Sequence, residues 1–251
     1  MSDSVERFSN RVANYVKYRP GYPGGVLQLF RDEMGLHPDS VIADIGSGTG
    51  ISARLFLENG NTVYGIEPNA SMREAAEEFL EDFDHFQSID GTAENTSLPD
   101  DLVDFVIAAQ AFHWFAPDAS RDEFKRILLP GGYIALIWNE RQLDSTEFLR
   151  EYEKLLLTYA NDYEKVRHEN VTEEVLEGFF RQPFRQQTFE NVQVLDLDGL
   201  KGRLLSASYM PTEESPTFEP MNAELTSLFA KYAERGRIEL LYDTKVFFTQ
   251  V

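Results

Sequence analysis

Five short strand-like segments before residue 140 are separated by helical patterns; most are predominantly apolar, and HFQSI is a weak one. They read VIADI (41–45), TVYGI (62–66), HFQSI (85–89), LVDFVIAA (102–109) and YIALIW (133–138). Runs without polar alternation are buried on both faces, as in a parallel sheet sandwiched between helices. The helices carry their own punctuation. ISARLFLEN is closed by Gly60, just past its last turn. Asn69 or Ser71 caps a helix reaching Phe79 to Asp82, and Ser120 caps one that runs to Leu128 and stops at Pro130-Gly131-Gly132. With right-handed crossovers this rhythm predicts an α/β, doubly wound, mostly parallel sheet.

Outside that core the pattern changes. Pro20, Gly21, Pro23, Gly24 and Gly25 end a short helix near Tyr18, and Val26 to Met34 reads as a helix stopped by Gly35. Ser145 is the expected cap of a long helix, STEFLREYEKLLLTYA, and another helix spans Thr172 to Phe180. FRQQTFENVQVL (184–195) and IELLYDTKVFFTQV (238–251) add two strands, giving seven, with helices at LKGRLLSAS and from Met221 to Glu234 between them. The expectation is one domain over 1–251. Its core covers about 26–140 plus the strands near 184–195 and 238–251. An N-terminal lid covers 1–25, and cap helices about 144–180 and 199–235 lie over one end of the sheet.

Composition narrows the chemistry. The chain has no cysteine, which excludes a disulfide scaffold, a thiolate metal site and a thiol nucleophile. Lys and Arg number 23 against 43 Asp and Glu, a formal charge of −20. That surface repels nucleic acid and anionic lipid, and no basic run offsets it. No apolar run approaches membrane length and the N-terminus is polar, so a cytoplasmic protein is expected, as monomer or homodimer. The histidines His37, His85, His113 and His168 are isolated in sequence, and no metal site is expected. An acid-rich, lysine-poor surface also suits a high-salt organism.

The most specific segment is Asp44-Ile45-Gly46-Ser47-Gly48-Thr49-Gly50, where the first strand turns into a helix. Glycines there let the backbone turn tightly and approach a ligand. Glu67, ending the second strand, is placed to accept bonds from ribose hydroxyls. Two ligands compete. A dinucleotide wants G-x-G-x-x-G and a pyrophosphate on the helix N-terminus. Here the spacing is G-x-G-x-G, and Asp44 would repel a pyrophosphate. S-adenosylmethionine has no phosphate and two cationic groups, which makes Asp44 an asset. A glycine turn with no ligand is the bland alternative.

This segment, with Glu67-Pro68-Asn69 after it, resembles class I S-adenosylmethionine-dependent methyltransferases, which are Rossmann-like. GTAENTSLP (91–99), VDFVIAAQAFHWF (103–115), YVKYRPGYP (15–23) and LPGGYIALIWNER (129–141) are similar to type-11 methyltransferase domains of the trans-aconitate methyltransferase-like kind. The resemblance implies roles. Asp44, Gly46, Ser47 and Gly48 would surround the methionine moiety. Glu67 would hold the ribose, with Pro68, Asn69 and Met72 beside the adenosine. Thr92, Ala93 and Glu94 would meet the adenine edge, Thr92 standing where the family often has Asp. Gln110 and Ala111 would lie under the carboxylate and sulfonium. Tyr18 and Arg19 would sit on the lid, Arg19 facing the cofactor carboxylate. Met72 could equally be plain core, and Tyr15, Tyr18 and Tyr22 could simply anchor a terminal helix.

Ligands of such sheets sit beyond the carboxyl ends of the strands. The expected substrate pocket therefore contains Tyr15, Tyr22, His113, Trp114, Trp138, Asn139 and Arg141, closed from the cap by Arg203, Tyr209 and Met210. Arg141 is the candidate carboxylate clamp, or else one half of a surface ion pair with an acid such as Asp144. His113 is the candidate base for a phenol or amine, or merely orients a loop. The resulting expectation is methyl transfer to a small molecule, preferably O-methylation of a carboxylate, releasing S-adenosylhomocysteine. A phenolic, quinone-like or amine acceptor, a non-catalytic S-adenosylmethionine-binding module and an NAD-dependent oxidoreductase are the competitors.

Overall fold

A computed structural model describes residues 12–161, 163 and 172–251, without the side chains of Val12, Ala13 and Tyr15. Seven strands form one sheet: β1 (Val41–Ile45), β2 (Thr62–Ile66), β3 (Phe86–Ile89), β4 (Val103–Ala109), β5 (Leu128–Arg141), β6 (Arg185–Leu195) and β7 (Ile238–Gln250). Their order is β3-β2-β1-β4-β5-β7-β6. The first five are parallel, and β7 runs antiparallel to both of its neighbours. The sheet is thus mostly parallel and doubly wound, with its order reversing between β1 and β4. A crevice opens there beyond the carboxyl ends of the strands, where such folds place ligands.

The apolar runs behave as their composition requires. Ile42, Ala43, Asp44 and Ile45 of β1 and most of β4 are buried, because helices cover both faces. On one face lie α2 (Gly24–Met34) and α3 (Ile51–Leu57), whose Phe30 and Phe56 meet edge to face at 5.0 Å. On the same side of the chain order, α1 (Val12–Tyr18) precedes them and α4 (Ala70–Phe79) follows β2. The α4 cap is Asn69, whose side chain accepts from the Met72 N–H; Ser71 is already helical. On the other face lie α5 (Pro117–Ile127) and α7 (Glu173–Phe180).

The second half differs from expectation in two ways. β5 starts ten residues before Trp138 and passes straight through Pro130-Gly131-Gly132, with a register shift against β4 between Val103 and Phe105. The Pro-Gly-Gly run stops α5 without stopping the extended chain. In addition, α7 is not a cap element. Its Leu176, Phe179 and Phe180 pack into the sheet core, with Phe179 4.6 Å from Phe112. The cap consists of α6 (Glu147–Tyr159), α8 (Leu197–Leu205) and α9 (Phe218–Tyr232), which form a separate apolar cluster with the first half of β7. The α6 cap is Thr146, one residue after the expected Ser145, and its hydroxyl accepts from the Leu149 N–H. Among the described residues no helix is long and apolar enough to cross a membrane.

Candidate active site

A cavity of about 280 Å³ lies over the carboxyl ends of β1, β2, β4 and β5, closed from above by α8 and the segment after α1. Its floor is the first turn. Gly46, Gly48 and Gly50 all have positive φ, at 68°, 56° and 83°. A Cβ on Gly46 would stand 2.6 Å from the Ala111 Cβ, so the turn and the end of β4 touch through a missing side chain. At Gly48 a Cβ would meet nothing within 4 Å, and the backbone there is open to a ligand.

Behind the turn stands Asp44, fully buried. One carboxylate oxygen accepts from the Ser52 hydroxyl at 2.6 Å; the other, Oδ1, has no hydrogen-bond partner. Burial pushes this carboxyl up to about 7, and nearby Glu67 adds to the effect. Asp44 does not line the cavity, so the direct contact expected of it is not seen. Glu67 does line it. Its Oε2 accepts from the Gly48 N–H at 3.1 Å and its Oε1 from the Asn69 N–H at 2.9 Å. Burial raises the Glu67 pKa, against those two bonds and the Arg73 charge. Burial acts upward on Glu94 too. There the bonds from the Ala116 N–H, the Thr92 hydroxyl and Ser120 prevail, and its carboxyl lies below the usual range.

Most of the sequence-predicted residues converge on this space. Arg19, Tyr22, Gly46, Ser47, Gly48, Glu67, Pro68, Asn69, Met72, Thr92, Ala93, Glu94, Gln110 and Ala111 line it, together with His113, Trp114, Asn139, Arg141, Arg203 and Tyr209. Gln110 reaches its place with φ 59°, an uncommon left-handed conformation for a side-chain-bearing residue, while its amide donates to the Asn139 carbonyl at 3.1 Å.

Several expectations change. Trp138 points the other way: it is 2% exposed, within the core between Phe112 and Phe247, because successive strand residues face opposite sides. Tyr18 packs on Gly202 of α8, outside the cavity, and Met210 lies in the cap core. Tyr15 falls outside the described side chains. Asn139 spends its amide as a stitch, donating to the Gly21 carbonyl at 3.1 Å while its oxygen accepts from Thr244 at 2.5 Å. Arg141 is neither a free clamp nor a partner of Asp144; it is paired with Glu153, with the Tyr163 hydroxyl 3.0 Å away.

Sequence reasoning missed Thr49, Ile51, Ser52, Leu143, Tyr163, Ser208 and Tyr242, with Pro20 and Ala109. The first three follow the glycines directly and were findable by adjacency. Tyr242 was not, because it reaches the site only through the antiparallel pairing that sets it opposite Arg141.

Residues 43–136 match the family model for a methyltransferase domain. The chain is an S-adenosylmethionine-dependent methyltransferase. The enzyme is 26% identical to a methyltransferase-like protein of Schizosaccharomyces pombe over 250 residues, covering 97% of this chain and 94% of that one. It is 32% identical to a Mycobacterium tuberculosis methyltransferase over 134 residues, about half of each chain. Among solved structures, one from Anaeromyxobacter dehalogenans, classed as a type II methyltransferase, superposes with TM-score 0.70 at 21% identity over 93% of this chain and 98% of that one. A methyltransferase from Geobacter sulfurreducens, solved with S-adenosylhomocysteine, gives 0.52 at 19% identity over 96% and 98%. These two share the fold.

The residues present fit the cofactor. The turn exposes backbone through Gly48, an acid stands at the end of β2, and Asp44 Oδ1 and the buried Thr49 hydroxyl are left without partners beside it. A cationic nucleoside suits that acid-bearing site, whereas a diphosphate would meet Glu67, with Asp44 buried behind the turn.

Proposed function

We propose that the enzyme methylates a carboxylate of a small organic acid, in the manner of the trans-aconitate methyltransferase-like group. One observation carries this reading: the cavity has two ends of opposite charge. Glu67 and Glu94 stand on the side of β2 and β3; on the side of β5 and β7 stand Arg141, whose charge Glu153 offsets, and Arg203, which bonds the Tyr242 hydroxyl, in a protein whose formal charge is −20. A general acidic surface does not require buried guanidiniums at one end of a cavity, whereas an anionic acceptor does.

On this reading Glu67 receives the ribose hydroxyls, Thr92 to Glu94 the adenine edge and Arg19 the cofactor carboxylate. Arg19 Nη2 donates to the Ser206 carbonyl at 3.1 Å, which ties the segment after α1 to the cap. S-adenosylmethionine, when bound, supplies an electrophilic methyl group. The chain's own contribution is alignment and exclusion of water. His113 and Trp114, with ring centres 4.9 Å apart, and Phe115 form an aromatic rim over the end of β4. A carboxylate, with an ordinary pKa near 4, is ionised at pH 7 and requires no base.

A panel of small acids, phenols and amines, assayed for S-adenosylhomocysteine release, tests the reading. Turnover confined to acids is the expected result. Turnover of phenols alone, abolished by His113→Ala, would replace the carboxylate acceptor with a base-assisted one.

A further inference from the structure

Five large apolar side chains stand exposed among the described residues: Trp114, Leu157, Val175, Val192 and Val194. Trp114 alone of them lines the cavity, and at 40% exposure it stands at the mouth. An exposed indole gains when an apolar group covers it. Three half-buried residues line the same half of the cavity: Leu143 just after β5, Tyr163 after α6 and Tyr209 after α8. The Tyr163 and Tyr209 rings lie 4.8 Å apart, centre to centre. Buried Tyr242 of β7 completes this wall.

The wall offers rings and few polar hydrogens. The Tyr163 hydroxyl accepts from Arg141 and donates to Glu153, both at 3.0 Å. The Tyr242 hydroxyl accepts from Arg203 Nε at 3.1 Å and donates to Gln193 at 3.4 Å. A phenol whose proton is spent on a protein acceptor has none left for a ligand oxygen, and its ring is what remains. Charge limits the ligand as firmly. Glu153 offsets Arg141, which leaves Arg203 as the cation in excess on this side among the described lining residues. One excess cation balances one anionic group. Each further carboxylate would be buried without a counter-ion or a donor, which is costly.

We infer that Trp114, with Tyr163 and Tyr209, binds an apolar body on the acceptor. The acceptor is then a monocarboxylic acid that carries an aromatic or extended aliphatic group. This rests on the carboxylate reading above and deepens it. It also parts from the polycarboxylate that the trans-aconitate resemblance suggests.

The test uses the full chain saturated with S-adenosylhomocysteine. Calorimetry gives Kd for acetate, butanoate, hexanoate, 3-phenylpropanoate and trans-aconitate, in the wild type, Trp114→Ala and Trp114→Phe. In the wild type, affinity rises about fourfold per methylene from acetate to hexanoate, the worth of a buried CH₂. There 3-phenylpropanoate binds about tenfold or more tighter than trans-aconitate. Trp114→Ala weakens hexanoate and 3-phenylpropanoate about tenfold and leaves acetate within about twofold, while Trp114→Phe keeps most of the preference. The chain has two tryptophans, and Trp138 lies in the core. Wild-type emission therefore shifts to the blue with 3-phenylpropanoate and not with acetate, and Trp114→Phe shows no shift.

Tighter binding of trans-aconitate than of every monocarboxylate overturns the proposal. So does a flat affinity across the chain-length series, or an equal loss of acetate and 3-phenylpropanoate in Trp114→Ala. A parallel loss of S-adenosylhomocysteine binding in that variant would assign Trp114 to the cofactor and overturn it too. Mass spectrometry of the products, with S-adenosylmethionine supplied, separates this test from the reading beneath it. A methyl ester of trans-aconitate alone upholds the carboxylate chemistry and refutes the apolar acceptor. Binding of 3-phenylpropanoate that depends on Trp114, without ester formation, upholds the apolar site and refutes the acceptor chemistry.

Discussion

Asp44 is a fully buried carboxyl beside the cofactor turn, and pH reports its state. In the free enzyme its pKa is pushed up to about 7, chiefly by burial and further by Glu67, against the Ser52 hydrogen bond. A cationic amino group arriving on the far side of the turn favours the carboxylate and draws its pKa back toward the ordinary value near 4. Binding below pH 7 then expels a proton, so affinity rises with pH and levels off above 7. Each pH unit below 7 weakens binding by about 1.4 kcal/mol, or about tenfold, until the pKa of the complex is reached. Between pH 7.5 and 5.5 the Kd for S-adenosylhomocysteine should rise about 25-fold.

Calorimetry in two buffers of different ionisation enthalpy measures both the slope and the proton released. Asp44→Asn should flatten the slope near 7; the raised Glu67 leaves a shallower one at lower pH. Stability moves in the opposite sense. The folded enzyme holds a proton that the unfolded chain releases above its ordinary pKa of 3.8, so the Asp44 contribution to stability falls as pH climbs from 3.8 to 7. Asp44→Asn should therefore raise Tm at pH 7.5 relative to wild type, and the gain should vanish below pH 4. A flat binding profile in the wild type, or an identical slope in the variant, refutes the reasoning.

Three further perturbations bear on the site. Glu67→Ala removes the acceptor of the Gly48 and Asn69 N–H groups and should weaken S-adenosylhomocysteine binding by about 1–3 kcal/mol; calorimetry checks it. Gly46→Ala forces a Cβ to within 2.6 Å of the Ala111 Cβ at φ 68°, and should lower Tm by the equivalent of about 1–3 kcal/mol of strain while weakening the cofactor. Arg141→Ala removes the cation paired with Glu153, a carboxylate at 11% side-chain exposure, and should cost about 3–5 kcal/mol in urea unfolding, with Arg141→Ala/Glu153→Gln recovering most of it.

Local signals in the sequence carried the cofactor half of the molecule. VIADI and TVYGI have the observed bounds of β1 and β2, because a run apolar on both faces has no other place to go. The glycine turn and Glu67 were legible for the same reason: each lies at a strand end, where neighbours in sequence are neighbours in space. The acceptor half was not legible in this way. Trp138 reads as a rim aromatic by position, yet strand alternation turns it into the core. Arg141 reads as a clamp until α6 delivers Glu153 to it. Tyr242 and Arg203 meet through a strand pairing and a cap helix separated by 39 residues, a contact no local pattern encodes. The Pro-Gly-Gly run does not mark the start of β5, since these residues disfavour helix and leave an extended chain free to continue.

Titration of S-adenosylhomocysteine, and separately of NAD, into the wild-type enzyme tests most directly whether the turn between β1 and α3 is built for a cationic nucleoside. The account predicts saturable one-to-one binding of S-adenosylhomocysteine and no heat from NAD. Binding of NAD with none of S-adenosylhomocysteine would contradict it.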